Sequence, residues 1–191
     1  MPVPAGLAME SARLLVRPVA VPDLAALLIV NGDATVTRHL PYDTWMSADD
    51  AHSWYTRVAA LQAAGVAWQF VIVHRASGTV LGSCLLFRYE SASARAELGY
   101  VLGRAHWGQG YMREALAALI GWGFGQLALR RIEAEVDPRN TRSTRLLTQL
   151  GFTQEGLLRQ RWYAKGEAYD VAVYSLLRDE WPRPAPQSRA G

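Results

Sequence analysis

Cysteine is almost absent from this chain, which contains only Cys84 among its 191 residues. A single cysteine cannot form an intrachain disulfide, and no Cys/His cluster indicates a zinc site. The first ten residues, MPVPAGLAME, also lack the basic start and the apolar stretch of a secretion signal. We therefore expect a soluble protein of the reducing cytoplasm that uses no metal.

Long hydrophobic runs and lysines are also scarce. The longest uninterrupted apolar run, Leu24 to Val30, is far shorter than the roughly 20 residues that cross a bilayer. Of the twenty basic residues only Lys165 is lysine, and the arginines are scattered from Arg13 to Arg189. Because nucleic-acid-binding proteins more often carry a dense basic stripe, we expect neither a membrane nor a nucleic-acid partner, despite the net charge of +3.

Hydrophobic residues make up 50% of the chain, and no repeat or internal linker is visible. This composition and length predict one well-buried globular domain. We place that domain at residues 11–181, between a flexible N-terminus (1–10) and a flexible C-terminal tail (182–191) rich in proline and polar residues.

Hydrophobic periodicity divides the domain into helices and strands. The pattern predicts an α/β (α+β) domain with a mixed, mostly antiparallel central sheet of about seven strands, flanked by about four helices. The predicted strands lie at 13–18, at two positions within 67–90, at 95–103, 130–137, 157–166 and 167–177. The predicted helices lie at 22–33, at 47–65, directly after Gly110, and at 140–152.

A strand, a glycine-rich turn and a helix follow one another around Gly108 and Gly110. Backbone N–H groups at a helix N-terminus attract phosphate, and glycines let a ligand approach that backbone closely. The spacing excludes two familiar phosphate loops. No G-x-x-x-x-G-K-[ST] segment occurs, and Arg113 stands where a dinucleotide-binding loop needs its third glycine.

The remaining match is to the pyrophosphate loop [QR]-x-x-G-x-[GA] of the GNAT acetyltransferase superfamily, here occupied by residues 107–112. More specifically, the chain resembles the ribosomal-protein N-terminal acetyltransferases of the RimJ/RimL type from Arg13 to Trp181. Five segments carry this resemblance in the family's order: RLLVRP, AELGYVL, WGQGYMREAL, DPRNTRSTRLLTQLGFTQEG and YDVAVYSLLRDEW. The resemblance implies a GNAT fold, acetyl-CoA as co-substrate, and direct acetyl transfer to an amine.

The resemblance also assigns roles by position. Backbone N–H groups of residues 109–113 would hold the pyrophosphate, and the strand backbone at 100–102 would pair with the pantetheine arm. Asn140 would orient the cofactor near its sulfur, and Ser143 would donate a hydrogen bond to the departing thiolate. The expected cofactor-binding residues are Tyr100, Val101, Leu102, Trp107, Gly108, Gln109, Gly110, Tyr111, Met112, Arg113, Asn140 and Ser143.

Three positions depart from the family pattern. Trp107 replaces a polar residue, and Met112 replaces a small one. Because Met112 also begins the apolar face of its helix, we expect its side chain in the core. Leu147 stands where many family members have a proton-donating tyrosine, and Ser143 is the substitute found in the RimL type. The nearby Arg139, Arg142 and Arg145 could either meet the 3′-phosphate of CoA or form a solvated helix face.

Glu97, on the strand before the loop, is the candidate base, and we take Ser143, Glu97 and Asn140 as the catalytic set. Counting back from Trp107 puts Ala96 at the family's glutamate position, and a one-residue slip reverses a strand's face. Glu97 is therefore expected to reach the site only if a bulge restores it. Otherwise it is a solvent-facing residue. His106 and Asp170 are weaker alternatives.

The acceptor is expected to be the α-amine of a protein or peptide. An α-amine, with a pKa of about 7.7–8.0, is readily neutral near pH 7.4, whereas lysine at about 10.4 needs a strong base. Two alternatives stay open: a small amine such as a polyamine or an antibiotic as acceptor, or a non-catalytic acyl-CoA-binding protein. The protein itself is expected to be a monomer or a homodimer.

Overall fold

The structure, a computed structural model, describes residues 6–182. The predicted flexible termini therefore lie largely outside the described residues, at 1–5 and 183–191. Within the described part the strands are β1 (Met9–Glu10), β2 (Leu14–Pro18), β3 (Trp68–His74), β4 (Val80–Glu90), β5 (Arg95–Leu102), β6 (Arg131–Val136), β7 (Thr153–Ala164) and β8 (Glu167–Leu177). The α-helices are α1 (Leu24–Asn31), α2 (Ala34–Thr37), α3 (Ala48–Ala63), α4 (Tyr111–Gly125) and α5 (Thr141–Gln149).

All eight strands form one sheet in the order β1-β2-β3-β4-β5-β6-β8-β7. Only the β5–β6 pair is parallel, so the predicted mixed, mostly antiparallel sheet is confirmed. The structure adds one strand and one helix to the predicted set. Strand β1 lies in the segment expected to be flexible, and α2 is a single turn, too short to show a helical period.

Helices cover both faces of the sheet, because successive side chains of a strand point to opposite faces. Phe70 and Ile72 of β3 join the larger core, which includes the buried residues of α4 and α5. Val71 and Val73 of the same strand join a second core with α1 and α3. Residues 6–182 hold no helix with the length and apolar character needed to span a membrane.

The parallel pair β5–β6 separates along its length. The two strands are in register only at Arg95–Arg131, Ala96–Ile132 and Glu97–Glu133. Beyond these pairs β5 continues to Leu102, bonded to β4 alone, while β6 continues to Val136 bonded to β8. The separation opens a gap inside the sheet, bordered by residues 98–102 on one side and 134–136 on the other.

Candidate active site

A cavity of about 310 Å³ lies at the gap between β5 and β6. Tyr100 and Ser143 line it from the face covered by α4 and α5, together with Asn140. Glu97 and His39 line it from the opposite face, the one covered by α1 and α3. The cavity is therefore lined by residues from both faces of the sheet, and it brings together all three residues of the predicted catalytic set.

On the α5 face, two hydroxyl groups meet. Asn140 is the N-cap of α5, and its side-chain oxygen accepts a hydrogen bond from the Ser143 N–H at 3.2 Å. This cap fixes the first turn of the helix and leaves the Ser143 hydroxyl 2.6 Å from the Tyr100 hydroxyl. Burial raises the pKa of Tyr100 to about 12, so its hydroxyl keeps its proton. The sequence analysis predicted a role for the Tyr100 backbone only, not for its side chain.

The backbone N–H and C=O groups of β5 point alternately toward β4 and toward the gap. The Gly103 N–H donates to the Leu81 carbonyl on β4, so the alternation of an antiparallel pair turns the backbone groups of Val101 toward β4 as well. The backbone groups of Tyr100 and Leu102 then face the gap. The Leu102 carbonyl already accepts the Trp107 indole N–H at 2.8 Å. Of the three residues assigned to the pantetheine arm, Tyr100 therefore has the backbone N–H and C=O groups that are most available to a ligand in the gap.

The glycine loop follows β5 and leads directly into α4. Gly108 and Gly110 have φ values of +76° and +79°, a left-handed conformation that glycine adopts without a steric penalty. The first intrahelical bond runs from the Glu114 N–H to the Gly110 carbonyl. The N–H groups of residues 111–113 therefore have no acceptor within the helix and form an anion-attracting end.

Arg13, directly before β2, contacts this loop, and no local motif in the sequence predicts that contact. Its guanidinium forms an ion pair with Glu114 at 2.7 Å and donates to the Gln109 carbonyl at 3.1 Å. The same group stacks over the Tyr111 ring at 4.5 Å. The loop is thus held in shape by side-chain contacts that leave its N–H groups unused.

The positions that depart from the family pattern have packing roles. Met112 and Leu147 are buried in the larger core, as expected for Met112. Trp107 packs on that core, and the Arg142 guanidinium stacks over its ring at 4.6 Å. This stacking places the side chain of Arg142 beside the glycine loop. Arg139 instead pairs with Asp137 at 2.8 Å.

Glu97 faces the cavity. Along β5, Ala96 and Leu98 are buried in the larger core and Glu97 points to the other face. Glu97 therefore lies on this face without the bulge in β5 that the sequence reading required. A register shift does occur nearby, but on β4, between Phe87 and Glu90, rather than on β5.

The environment of Glu97 is acidic and partly apolar. Burial raises the pKa of its carboxyl group, the Arg88 guanidinium at 2.7 Å lowers it, and the neighbouring Glu135 raises it further, with a net upward shift. Glu135 itself accepts a hydrogen bond from the Trp162 indole at 2.9 Å and pairs with Arg161 at 3.3 Å. This wall of the cavity therefore presents two carboxylates, each paired with an arginine.

A second polar group on the same face was missed by sequence reasoning. His39, in the loop after α2, places Nδ1 2.9 Å from the Asp137 carboxylate. Asp137 directly follows β6 and also accepts hydrogen bonds from the Arg139 side chain. The two partners are 98 residues apart, so no local motif could have joined them.

The weaker alternatives for the base lie elsewhere. Asp170 accepts a hydrogen bond from the Gln160 N–H at 2.9 Å and braces the β7–β8 hairpin. His106 lies beside the Tyr111 ring, at 6.5 Å between ring centres, and does not line the cavity. Across residues 6–182, no cluster of three or more His, Cys, Asp or Glu side chains is arranged to hold a metal ion.

Comparison with known families agrees with this geometry. The profile of the acetyltransferase (GNAT) domain matches residues 13–153. The uncharacterized N-acetyltransferase p20 of Bacillus licheniformis is 38% identical over 169 residues, which cover 88% of this chain and 95% of that protein. The [ribosomal protein uS5]-alanine N-acetyltransferase of Escherichia coli is 36% identical over 84 residues, 44% of this chain and 43% of that enzyme.

Solved structures share the whole architecture. RimJ of Mycobacterium smegmatis, in complex with CoA-disulfide, superposes with a TM-score of 0.79 at 27% sequence identity. The superposition covers 89% of this chain and 84% of that one. The similarity thus extends over most of both chains.

Proposed function

This chain belongs to the GNAT acetyltransferase family, and from that premise we propose that it transfers the acetyl group of acetyl-CoA to the N-terminal α-amine of a protein or peptide. Its relatives support N-acetyltransferase activity. The observation that carries the proposal is the cavity at the β5–β6 gap, lined from both faces of the sheet. A thioester entering from the α4–α5 face and an amine entering from the other face can meet there.

The glycine loop fits the diphosphate of acetyl-CoA. The N–H groups of residues 111–113 lack intrahelical acceptors, and an added Cβ at Gly108 would point into open space beside them. We propose that these groups, with the N–H groups of Gln109 and Gly110, bind the diphosphate, and that the Tyr100 backbone pairs with the pantetheine arm. The CoA-disulfide bound to the M. smegmatis RimJ structure supports this choice of ligand.

The acceptor side of the cavity suits an amine that is easily deprotonated. Glu97 and Glu135 are the carboxylates that an acceptor ammonium would meet on this side, and their ion-pair partners Arg88 and Arg161 are not among the residues that line the cavity within residues 6–182. Releasing a proton from an α-amine near neutral pH costs well under ~1 kcal/mol, compared with roughly 4 kcal/mol for a lysine. An α-amine therefore requires only a modest base. The uS5-alanine acetyltransferase named above supports a protein α-amine as acceptor.

Glu97 and Ser143 have complementary proposed roles. Glu97 is proposed to attract and hold the ammonium group at the acceptor side of the cavity. Ser143 donates a hydrogen bond to the developing thiolate, which a neutral hydroxyl can do without being a strong acid. Asn140 keeps Ser143 in position by capping α5.

The proposal is tested by incubating the purified protein with acetyl-CoA and a panel of acceptors. The panel contains peptides that differ in their first residue, the same peptides with a blocked α-amine and an internal lysine, and spermidine. Released thiol and the mass of the product are measured. We expect thiol release and one added acetyl group only where the α-amine is free.

The acceptor class is contradicted if spermidine or the blocked peptides are acetylated and the free α-amines are not. Binding of acetyl-CoA without thiol release on any amine would contradict the transferase activity itself. Each peptide with a blocked α-amine serves as the matched control for its free counterpart.

A further inference from the structure

His39 and Asp137 form a hydrogen-bonded pair at the edge of the cavity. The Nδ1 atom of His39 is 2.9 Å from Oδ2 of Asp137. The Asp137 side chain is completely buried, whereas that of His39 is 23% exposed and lines the cavity. The imidazole therefore lies between a buried carboxylate and the cavity that Glu97 and Ser143 also line.

The charge on Asp137 fixes the tautomer of the neutral imidazole. Burial alone raises the pKa of Asp137, but hydrogen bonds from Arg139 and His39 outweigh burial and hold the pKa below its usual value. A carboxylate accepts hydrogen bonds and cannot donate them, so the proton of neutral His39 is on Nδ1. Nε2 then carries the lone pair, on the side of the ring away from Asp137. A buried aspartate orients the base of the Ser-His-Asp triad in the same way.

Given the proposed acetyl transfer to an amine, on which this inference rests, we infer that His39 is a further catalytic residue, whose Nε2 accepts the proton of the acceptor ammonium. The N–H bond breaks, its electron pair stays on nitrogen, and the proton bonds to Nε2. The amine then attacks the thioester carbonyl, and the C–S bond breaks. The second proton that nitrogen loses goes to the thiolate, and the His39 proton returns to solvent.

The surroundings of His39 and Glu97 suit the two residues to different roles in the reaction. Neutral His39 offers a lone pair at Nε2 while its proton is held on Nδ1 by Asp137, whereas the Glu97 carboxylate is already engaged by the Arg88 guanidinium. Proton transfer from the ammonium to an imidazole is therefore the less unfavourable of the two. Arg88, 2.7 Å from Glu97, keeps that carboxylate ion-paired, whereas Asp137 accepts the hydrogen bond from Nδ1 and leaves Nε2 to accept a proton. His39 takes the proton, and Glu97 attracts the cation.

Other charged and titratable groups surround this pair, so the pH profile of one variant alone would not identify His39. Lys165, at the β7–β8 turn, donates to the Thr37 carbonyl two residues before His39. Within residues 6–182, the neighbouring groups include Asp137 and Arg139 after β6, Glu135 on β6, Glu97 on β5, Arg38, Tyr42 and Asp43 in the His39 loop, Lys165 at the turn, and Glu167 and Tyr169 on β8. A variant that changes only His39 keeps all of these other groups, so its difference from the wild type reports on the imidazole.

The test compares His39→Asn with the control His52→Asn, a substitution of an exposed histidine on α3. The asparagine amide can replace Nδ1 as donor to Asp137, but it provides no group equivalent to Nε2. With the best peptide of the panel, we expect His39→Asn to lower kcat/KM about 100-fold near pH 7 and to abolish the acidic limb of its pH profile. Added imidazole is expected to restore part of the rate. Acetyl-CoA affinity, the melting temperature and the activity of the control variant are expected to stay close to those of the wild type.

The outcomes separate this inference from the proposed function. If the wild type acetylates a peptide and His39→Asn keeps its rate and pH limb, His39 is not catalytic and the proposed function stands. If the variant loses acetyl-CoA binding and imidazole does not rescue it, His39 is only structural, which also overturns the inference. If the wild type acetylates no amine in the panel, the proposed function and the inference fail together.

Discussion

The hydroxyl groups of Tyr100 and Ser143 are 2.6 Å apart, although the two residues are separated by 43 positions in the chain. Tyr100 extends from β5 and Ser143 from the first turn of α5, so the contact joins the strand to the helix at the wall of the cavity. When Tyr100 donates to Ser143, the serine proton is free to point into the cavity. The pair then forms a short chain of donors aimed at the position proposed for the thiolate sulfur.

Removal of either hydroxyl is expected to slow turnover more than it weakens acetyl-CoA binding. Ser143→Ala removes the group nearest the thiolate and should lower kcat about 100-fold. Tyr100→Phe removes one supporting hydrogen bond and should lower kcat about tenfold. Stopped-flow thiol release and calorimetric binding of acetyl-CoA measure the two effects separately. Tyr163→Phe, at an exposed position on β7, is the control. An unchanged kcat in Ser143→Ala would remove Ser143 from the reaction.

The glycine loop makes a second prediction. Gly110→Ala forces an L-residue into a conformation with φ near +79°, which costs roughly 1–2 kcal/mol. An added Cβ would lie 3.5 Å from Arg13, an ordinary contact, so backbone strain is the main structural effect. We expect acetyl-CoA affinity to fall more than stability, because the N–H groups that follow change direction.

Gly78→Ala provides the matched control for this loop. Gly78 has φ of +70° and open space around its Cβ position, but it lies in the β3–β4 turn, away from α4. The Gly78→Ala variant should therefore lose about as much stability as Gly110→Ala and keep its affinity for acetyl-CoA. Equal loss of affinity in both variants would show that the glycine loop has no special part in binding.

Replacement of Glu97 tests how charge attraction and proton transfer are divided. Glu97→Gln keeps the shape of the side chain and removes its charge, so we expect KM for the amine to rise about tenfold with a smaller fall in kcat. Glu90→Gln, at an ion-paired glutamate outside the cavity, is the control. Burial raises the pKa of Glu97, so the charged form that attracts the amine is lost below that pKa, and KM should rise as the pH is lowered. If kcat collapses instead and the acidic limb disappears, Glu97 is the base and His39 is not.

Acid stability provides a prediction that is independent of activity. Arg131 donates to Glu155 at 2.8 Å, and together with a hydrogen bond from Ser175 it lowers the pKa of Glu155 to about 2. A carboxyl group whose pKa is lower in the folded than in the unfolded state stabilises the protein fully at pH values above its unfolded-state pKa. This contribution is lost as the pH falls toward the folded-state pKa of about 2. Glu155→Gln should therefore be less stable than the wild type at neutral pH, with the difference shrinking in acid.

Thermal unfolding followed between about pH 7 and pH 3 measures this effect. Glu167→Gln, at an exposed position in the same hairpin, is expected to follow the wild type throughout. A constant difference between Glu155→Gln and the wild type across this range would contradict the proposed origin of the stabilisation.

The sequence by itself determined the order of the main elements, the glycine loop at the start of α4, and the family. These features depend on local properties: the hydrophobic period of a segment, a capping residue such as Asn140, and glycines where φ must be positive. The core position of Met112 could also be read from the helical period. The two-residue strand β1 and the single-turn helix α2 were missed because they are too short to show a period.

Only the tertiary structure decided which side chains share the cavity. The pairs Tyr100–Ser143 and His39–Asp137 join residues that are far apart in sequence, and the parallel register of β5 and β6 determines where the gap opens. The sequence also could not show that the register shift lies on β4, which leaves Glu97 facing the cavity from an unbroken β5. The physical reason is that local periodicity fixes how each element forms, whereas strand pairing and packing between distant segments fix which residues meet.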